Sequence, residues 1–257
     1  MTAPPRAALV QGCLNGRRTR SEHPFLPLLP DELAREARAS VLAGARSIHV
    51  HPRAVDGRET LEAEPRAAAL QALRAACPGI ELTFTTGHWI EQDVARRLER
   101  VRRWTAVPDL ASVNIAEPGA AELCRVLGAL GVRIEVGVAE VADVERLARS
   151  DLGSLVARVL VEVEGEADRA LATAEAIDLA LDASGMRAPR LHHGYGAATW
   201  RVIDRALECG HDVRVGLEDT LVLPAGRLAG GNAELVAECV ARAARQAGRD
   251  VPAGVPG

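Results

Sequence analysis

The sequence predicts a single (β/α)8 TIM barrel domain spanning residues 1–257, and three observations carry that expectation. Short β-branched or apolar runs alternate with longer alanine- and leucine-rich amphipathic segments along the whole chain. Eight such strand–helix pairs fit into about 250 residues, the number and length a closed parallel barrel requires. Polar residues collect where the predicted strands end, the face on which barrels carry their chemistry. A doubly wound open sheet would instead show a glycine-rich first turn, and Q-G-C-L-N-G is not G-x-G-x-x-G.

Taken in order, A-A-L-V-Q-G around Leu9 is the first strand, and a long loop runs from Cys13 to Pro30. Asp31 is expected as an N-cap with Glu32 in the first turn of a helix reaching Ala43, where Gly44 stops it. S-I-H-V-H is the second strand. A helix follows from Glu64 to Ala76, with Pro65 in its first turn and Pro78 and Gly79 closing it. E-L-T-F-T makes the third strand, followed by a helix over Gln92–Arg103. A-S-V-N-I is the fourth, with a helix over Gly119–Leu130, and V-R-I-E-V-G-V is the fifth, with a helix over Ala142–Arg149. V-A-R-V-L-V-E-V is the sixth strand before a long helix over Ala167–Ser184. Pro189–His192 forms the seventh before a helix near Ala198–Glu208. D-V-R-V-G-L is the eighth, and a helix over Asn232–Ala247 ends the pattern. From about residue 250, V-P-A-G-V-P-G is expected to fray as a short disordered tail.

Composition narrows the function. Apolar residues make up 48% and charged residues 26%, enough for a full core. A net charge of −4 offers no polycation for phosphate backbones, so nucleic acid is not an expected partner. No apolar run approaches the roughly twenty residues that span a bilayer, and no membrane association is expected. M-T-A-P-P-R lacks the apolar region of a signal peptide. The five cysteines, Cys13, Cys77, Cys124, Cys209 and Cys239, are scattered without C-x-x-C, which points to a reduced cytoplasm. Every basic residue is arginine, and lysine is absent. Schiff-base chemistry, an imine-anchored pyridoxal phosphate and a P-loop are thereby excluded.

The second strand holds the first chemical signal. His49 and His51 alternate onto one face about 7 Å apart, and Pro52 ends the strand just beyond them. Two imidazoles on one face suit a small divalent cation, and equally a hydrogen-bonded pair of structural histidines. In R-V-G-L-E-D, alternation carries Arg214, Gly216 and Glu218 onto one face with Glu218 nearest the mouth. A closed barrel separates strand eight from strand two only by strand one, about 10 Å across. Glu218 can therefore complete a two-histidine, one-carboxylate set with open positions, the pattern of a catalytic zinc site, or it can cap the next turn. Arg214, buried deeper, needs a carboxylate partner, for which Glu135 and Asp219 are the candidates. Thr85, Thr86 and Gly87 offer hydroxyls and N–H groups suited to a substrate carboxylate. Asn15, Ser112, Asn114 and Glu117 stand at other strand ends. His88, Trp89, His192, His193 and Tyr195 are expected beside the mouth, and His23 and His211 at the surface.

Taken together, the early N-G, H-V-H-P-R, T-T-G, V-N-x-x-E-P and V-R-V-G-L-E-D-T-L-x-L-P-x-G-R-L followed by N-A-E-L-V resemble the β-keto acid cleavage enzyme family, typified by 3-keto-5-aminohexanoate cleavage enzymes. The likeness runs over nearly the whole chain in the same order. It implies a zinc-dependent acyltransferase that converts a β-keto acid and acetyl-CoA into acetoacetate and a new acyl-CoA by a retro-Claisen route, in a homo-oligomer. On this resemblance the zinc ligands fall on His49, His51 and Glu218. Asp219 is the base, oriented by Arg214, with Glu135 in the same arginine–carboxylate network. Thr85 and Gly87 match the loop that holds the substrate carboxylate, with Ser112, Asn114 and Asn15 as further substrate contacts. Three departures stand out. Ala54 follows Arg53 where an acid is common, and the next acid is Asp56. His88 replaces a second glycine after T-T-G, and the chain is short. Another zinc barrel enzyme without CoA, an aldolase or hydrolase, and a non-catalytic metal- or metabolite-binding barrel are the alternatives.

Overall fold

A computed structural model describes residues 7–249. Its strands are β1 (Val10–Cys13), β2 (Ser47–Val50), β3 (Glu81–Thr85), β4 (Leu110–Asn114), β5 (Arg133–Val138), β6 (Val156–Val163), β7 (Arg190–Gly194) and β8 (Asp212–Val215). All pair in parallel and in chain order, and β1 also pairs with β8, so the sheet closes into a barrel. The helices α1 (Pro30–Leu42), α2 (Ala63–Ala76), α3 (Val94–Arg102), α4 (Ala120–Ala129), α5 (Val141–Ala148), α6 (Ala167–Ala183), α7 (Thr199–Glu208) and α8 (Asn232–Arg249) follow the strands one for one. The (β/α)8 expectation holds. None of the helices among the described residues is long and apolar enough to cross a membrane. The expected tail beyond residue 250 lies outside the described residues.

The strands' two faces have different chemistry. Outward positions such as Ile48, Val50, Leu82, Phe84, Val136, Val161 and Val215 are fully buried against the helices. They form two apolar clusters, one centred on β4–β6 and the other joining β1–β3 and β8 to α1, α2, α7 and α8. Inward positions are largely polar. Near the barrel's floor, Glu135 of β5 accepts from Arg158 Nε at 2.6 Å and from Gln11 Nε2 at 3.1 Å. Arg158 also pairs with Glu81 at 2.8 Å and donates to Ser47 Oγ at 3.3 Å. The charges are thus compensated inside the wall, as buried charges must be.

Several boundaries differ from the sequence reading for local reasons. Asp31 is not the cap of α1: Pro30 occupies the first turn, where its fixed φ and missing N–H cost nothing, and Leu29 is the N-cap. Glu32 does the capping instead, its carboxylate accepting from Leu28 N at 2.9 Å and Leu29 N at 3.1 Å. α3 starts at Val94 because Asp93 caps it, accepting from Arg96 N at 2.9 Å. β7 runs on to Gly194, and β8 stops at Val215, short of the expected Leu217.

The floor pair predicts a specific energetic outcome. Glu135→Ala leaves Arg158 with Glu81 as its remaining carboxylate and should cost about 3 kcal/mol in denaturant unfolding. A loss well under about 1 kcal/mol would show that the pair is not a buried structural element.

Candidate active site at the carboxyl ends of the strands

β1 closes the sheet between β2 and β8, and that arrangement brings residues from the two ends of the chain together. His49, inward on β2, and His51, just past its end, meet with Nε2 atoms 3.0 Å apart. Glu218 Oε2 lies 3.7 Å from His49 Nε2, and Glu218 Oε1 lies 3.6 Å from His51 Nε2. All three residues are buried, and their ligand atoms fall within a radius that one cation could satisfy.

Glu218 does not arrive by strand alternation. The chain turns at Gly216, where Asp219 N and Thr220 N both donate to the Gly216 carbonyl, at 2.9 and 3.0 Å. The turn brings both Glu218 and Asp219 to the Arg214 guanidinium, residues that an extended strand would send to opposite faces. Gly216 is required for this approach, since a Cβ there would lie 1.9 Å from the Cys13 carbonyl oxygen. Gly16, at φ +53°, makes room on the other side: a Cβ would sit 2.4 Å from Glu218 Cγ.

The electrostatics favour an ionised acid beside unprotonated nitrogen. Burial pushes the Glu218 carboxyl up, but Arg214, His49 and His51 outweigh it and hold that group well below the usual carboxylate range. Burial keeps His49 well below the ordinary histidine value, with Arg214 and His51 adding to the effect against Glu218. Burial also opposes charge on His51, yet Glu218 and Glu59 raise it to about 9. Two imidazole nitrogens at 3.0 Å repel unless a proton or cation lies between them. With a partnerless Glu218 Oε2 facing the same point, the donor set suits zinc.

Behind these residues stands a carboxylate that the sequence reading missed. Glu59 Oε1 is 2.5 Å from His51 Nδ1, and its Oε2 accepts from Trp89 Nε1 at 3.0 Å. An isolated antiparallel bridge between Arg53 and Glu59 folds the loop after β2 back on itself and delivers this acid. Asp56, the acid expected to follow H-V-H-P-R, is at the surface with Arg58. Helical and strand periodicity hold no signal for such a loop; its single trace is the glutamate eight positions after His51.

The other expected residues separate into groups. Thr85, Ser112 and Asn114 line a cavity of about 530 Å³ with the two histidines, Trp89, Tyr195, Arg214 and Glu218. Gly87 stands under the Trp89 indole, which a Cβ there would overlap at 2.2 Å, and its N–H turns to Thr85 Oγ1 at 3.3 Å. Asp219 is fully buried behind Arg214, at 3.2 Å from Nη2 and 3.0 Å from His193 Nδ1, with its Oδ2 unpaired. Asn15 is not available to a substrate: its amide donates to the His51 and Pro27 carbonyls and accepts from His51 N, clamping the loop that carries His51. Glu135 belongs to the floor with Arg158, and Arg214's carboxylates are Glu218 and Asp219. Glu117 receives Arg97 at 2.5 Å and His88 N at 3.1 Å, tying α3 to the loops after β3 and β4. His193 and Tyr195 lie beside the mouth as expected, whereas His192 faces away, toward α6. His23 is buried, not at the surface, with Nε2 2.9 Å from the Ala229 carbonyl oxygen.

A model of the beta-keto acid cleavage enzyme family matches residues 8–254. A 3-keto-5-aminohexanoate cleavage enzyme from Fusobacterium nucleatum subsp. nucleatum is 26% identical over 253 residues, covering 91% of this chain and 89% of that protein. One from Acetoanaerobium sticklandii is 31% identical over 96 residues, 37% of this chain and 34% of that protein. Among solved structures, a ternary complex of ObcA with a C4-CoA adduct and oxalate superposes with a TM-score of 0.69 at 20% identity, over 83% of this chain and 62% of that one. A type I 3-dehydroquinate dehydratase from Clostridium difficile superposes with a TM-score of 0.68 at 13% identity, over 97% and 96%. The chain thus spans about three fifths of the ObcA structures, and these two likenesses concern the fold.

Glu59→Gln should weaken zinc binding by about 10- to 100-fold, since a neutral amide orients the His51 ring less firmly than a carboxylate. Competition against a chromogenic chelator measures it, and unchanged affinity would remove Glu59 from the site.

Proposed function

Because this chain belongs to the beta-keto acid cleavage enzyme family, we propose that it is a zinc-dependent acyltransferase converting a β-keto acid and acetyl-CoA into acetoacetate and a new acyl-CoA. The observation that carries this reading is the meeting of His49, His51 and Glu218 beside a buried Arg214–Asp219 pair. His49 and His51 through Nε2, and Glu218 through its carboxylate, would hold the zinc. When bound, the ion supplies a Lewis acid for the keto and carboxylate oxygens of the substrate.

The chain's own groups then account for the proton and for orientation. Arg214, shared by Glu218 and Asp219, favours the ionised form of Glu218 and holds Asp219 in place at 3.2 Å. Asp219, with a free Oδ2 and a hydrogen bond to His193, is the base for the acidic proton between keto and carboxylate carbons. Thr85 Oγ1, Ser112 and Asn114 on the opposite wall offer hydroxyl and amide groups to the substrate carboxylate. Gly87 lets Trp89 lie over that wall and exclude water. The deprotonated carbon attacks the acetyl carbonyl and the CoA thiolate leaves. The same thiolate adds to the original keto carbon, the old carbon–carbon bond breaks with its electron pair on the α-carbon, and that enolate takes back the proton held by Asp219 to leave as acetoacetate. No protein nucleophile is needed, which accords with a chain without lysine. A homo-oligomer acting in the cytoplasm completes the proposal.

A panel of β-keto acids, each with and without acetyl-CoA, tests the reading by acetoacetate release. Release should require both substrates; product formed without the thioester would favour an aldolase or hydrolase. Asp219→Asn should lower kcat by about 10²- to 10⁴-fold with zinc content unchanged. His49→Ala should lose both zinc from this site and activity.

A further inference from the structure

A second meeting of imidazoles and a carboxylate lies outside the barrel wall, away from the mouth. His192 follows the inward Leu191 and precedes the inward His193, so its ring points outward. There it stacks on His211, with ring centroids 4.9 Å apart and planes 6° from parallel. His211 immediately precedes β8, and Asp178 reaches in from α6. Asp178 Oδ1 is 3.3 Å from His192 Nε2 and 3.7 Å from His211 Nε2. One ligand atom from each residue lies within 4.8 Å of the other two. His192 is 2% exposed, and its Nε2, aimed at this group, makes no hydrogen bond.

We propose that Asp178, His192 and His211 form a second divalent-cation site, suited to zinc, which ties α6 to β7 and to the entry of β8. Two neutral imidazoles and one carboxylate are a borderline donor set of the kind zinc takes, with a fourth position left to water. A buried ring nitrogen that approaches a carboxylate without hydrogen-bond geometry is poorly satisfied, and an ion between His192 Nε2 and Asp178 would satisfy both. Arg190 also reaches Asp178 Oδ1, at 3.0 Å, and extends its other nitrogen to Asp182. A carboxylate has roughly four lone-pair positions, so this guanidinium orients Asp178 as outer donors orient ligating groups elsewhere. An open cavity of about 530 Å³, lined by Asp178, His211 and the acidic Glu175 and Asp182, gives the ion a path from solvent. Arg187 and Arg205 also face that cavity. The site does not depend on the reading of the mouth.

The test is zinc per chain on the full-length protein, stripped with a chelator, re-equilibrated with zinc and gel-filtered. Two equivalents are expected in the wild type, one in His49→Ala, one in His211→Ala and none in the double variant. Asp178→Asn, a milder change, should also remove one. Zinc should raise the Tm of His49→Ala and leave that of His49→Ala/His211→Ala unmoved. A single wild-type equivalent lost in His49→Ala would overturn the proposal. So would a second equivalent that survives His211→Ala and Asp178→Asn but disappears in Cys209→Ser, since Cys209 is exposed in the same cavity. One equivalent that survives His49→Ala and is lost in His211→Ala would support this site and refute the one at the mouth.

Discussion

The contact between the turn after β8 and the end of β1 governs the mouth of this barrel. Gly216 lies so close to the Cys13 carbonyl that no side chain fits, and Glu218 N donates to that same oxygen at 3.3 Å. The turn is thereby pinned to β1, whose other edge carries β2 and His49 in register with Cys13. A displacement of Gly216 by even the volume of a methyl group would move Glu218 away from both imidazoles. Asn15 fixes the opposite side of the junction by holding both the N–H and the carbonyl of His51. His49, His51 and Glu218 are therefore positioned by backbone contacts, which deform less readily than side-chain packing.

Charge explains why these groups tolerate burial. Arg214 is 1% exposed and sits against two carboxylates, so this part of the site has one positive and two negative charges before any cation arrives. Glu59 adds another negative charge through His51. The excess is negative and converges on the two facing Nε2 atoms, which is the field a divalent cation neutralises. Burial opposes a proton on His51, but Glu218 and Glu59 outweigh it and raise that imidazole to about 9, so a proton there would offset part of the excess. A divalent cation at the same point would compete with that proton.

The fold was legible in the sequence because its two periodicities are clean. β3 and β6 begin and end where their β-branched runs do, and the one-to-one succession of strands and helices left little room for another topology. H-V-H announced its own geometry, since alternation alone puts residues 49 and 51 on one side. Glu218 was reached by an argument from alternation that the structure replaces: the strand ends three residues earlier, and a turn around Gly216 delivers the acid. Glu135 and Asn15 show the limit of reading polar residues at strand positions. Both are buried and polar, but only a structure tells that Glu135 faces Arg158 and that Asn15 spends its amide on backbone. Glu59 was invisible for a different reason, because a loop closed by one isolated bridge leaves no periodic trace.

The polar floor completes the physical account of where the chemistry sits. An apolar interior would have packed as well, and replacing a buried ion pair by hydrocarbon is often neutral or stabilising. Here the floor tier of Gln11, Ser47, Thr83, Glu135 and Arg158 satisfies almost all of its own donors and acceptors, leaving Glu135 Oε1 without a partner. Directly above Gln11 and Ser47 come Cys13 and His49, one residue pair higher along the pleat, while Arg214 on β8 stands in register with Gln11 itself. Although Glu135 Oε1 stays open in that tier, the Arg214 guanidinium pairs upward with Glu218 and Asp219. The interior thus carries two separate arginine–carboxylate groups, Arg158 with Glu135 and Glu81 at the floor and Arg214 with the two acids of the turn after β8 at the mouth.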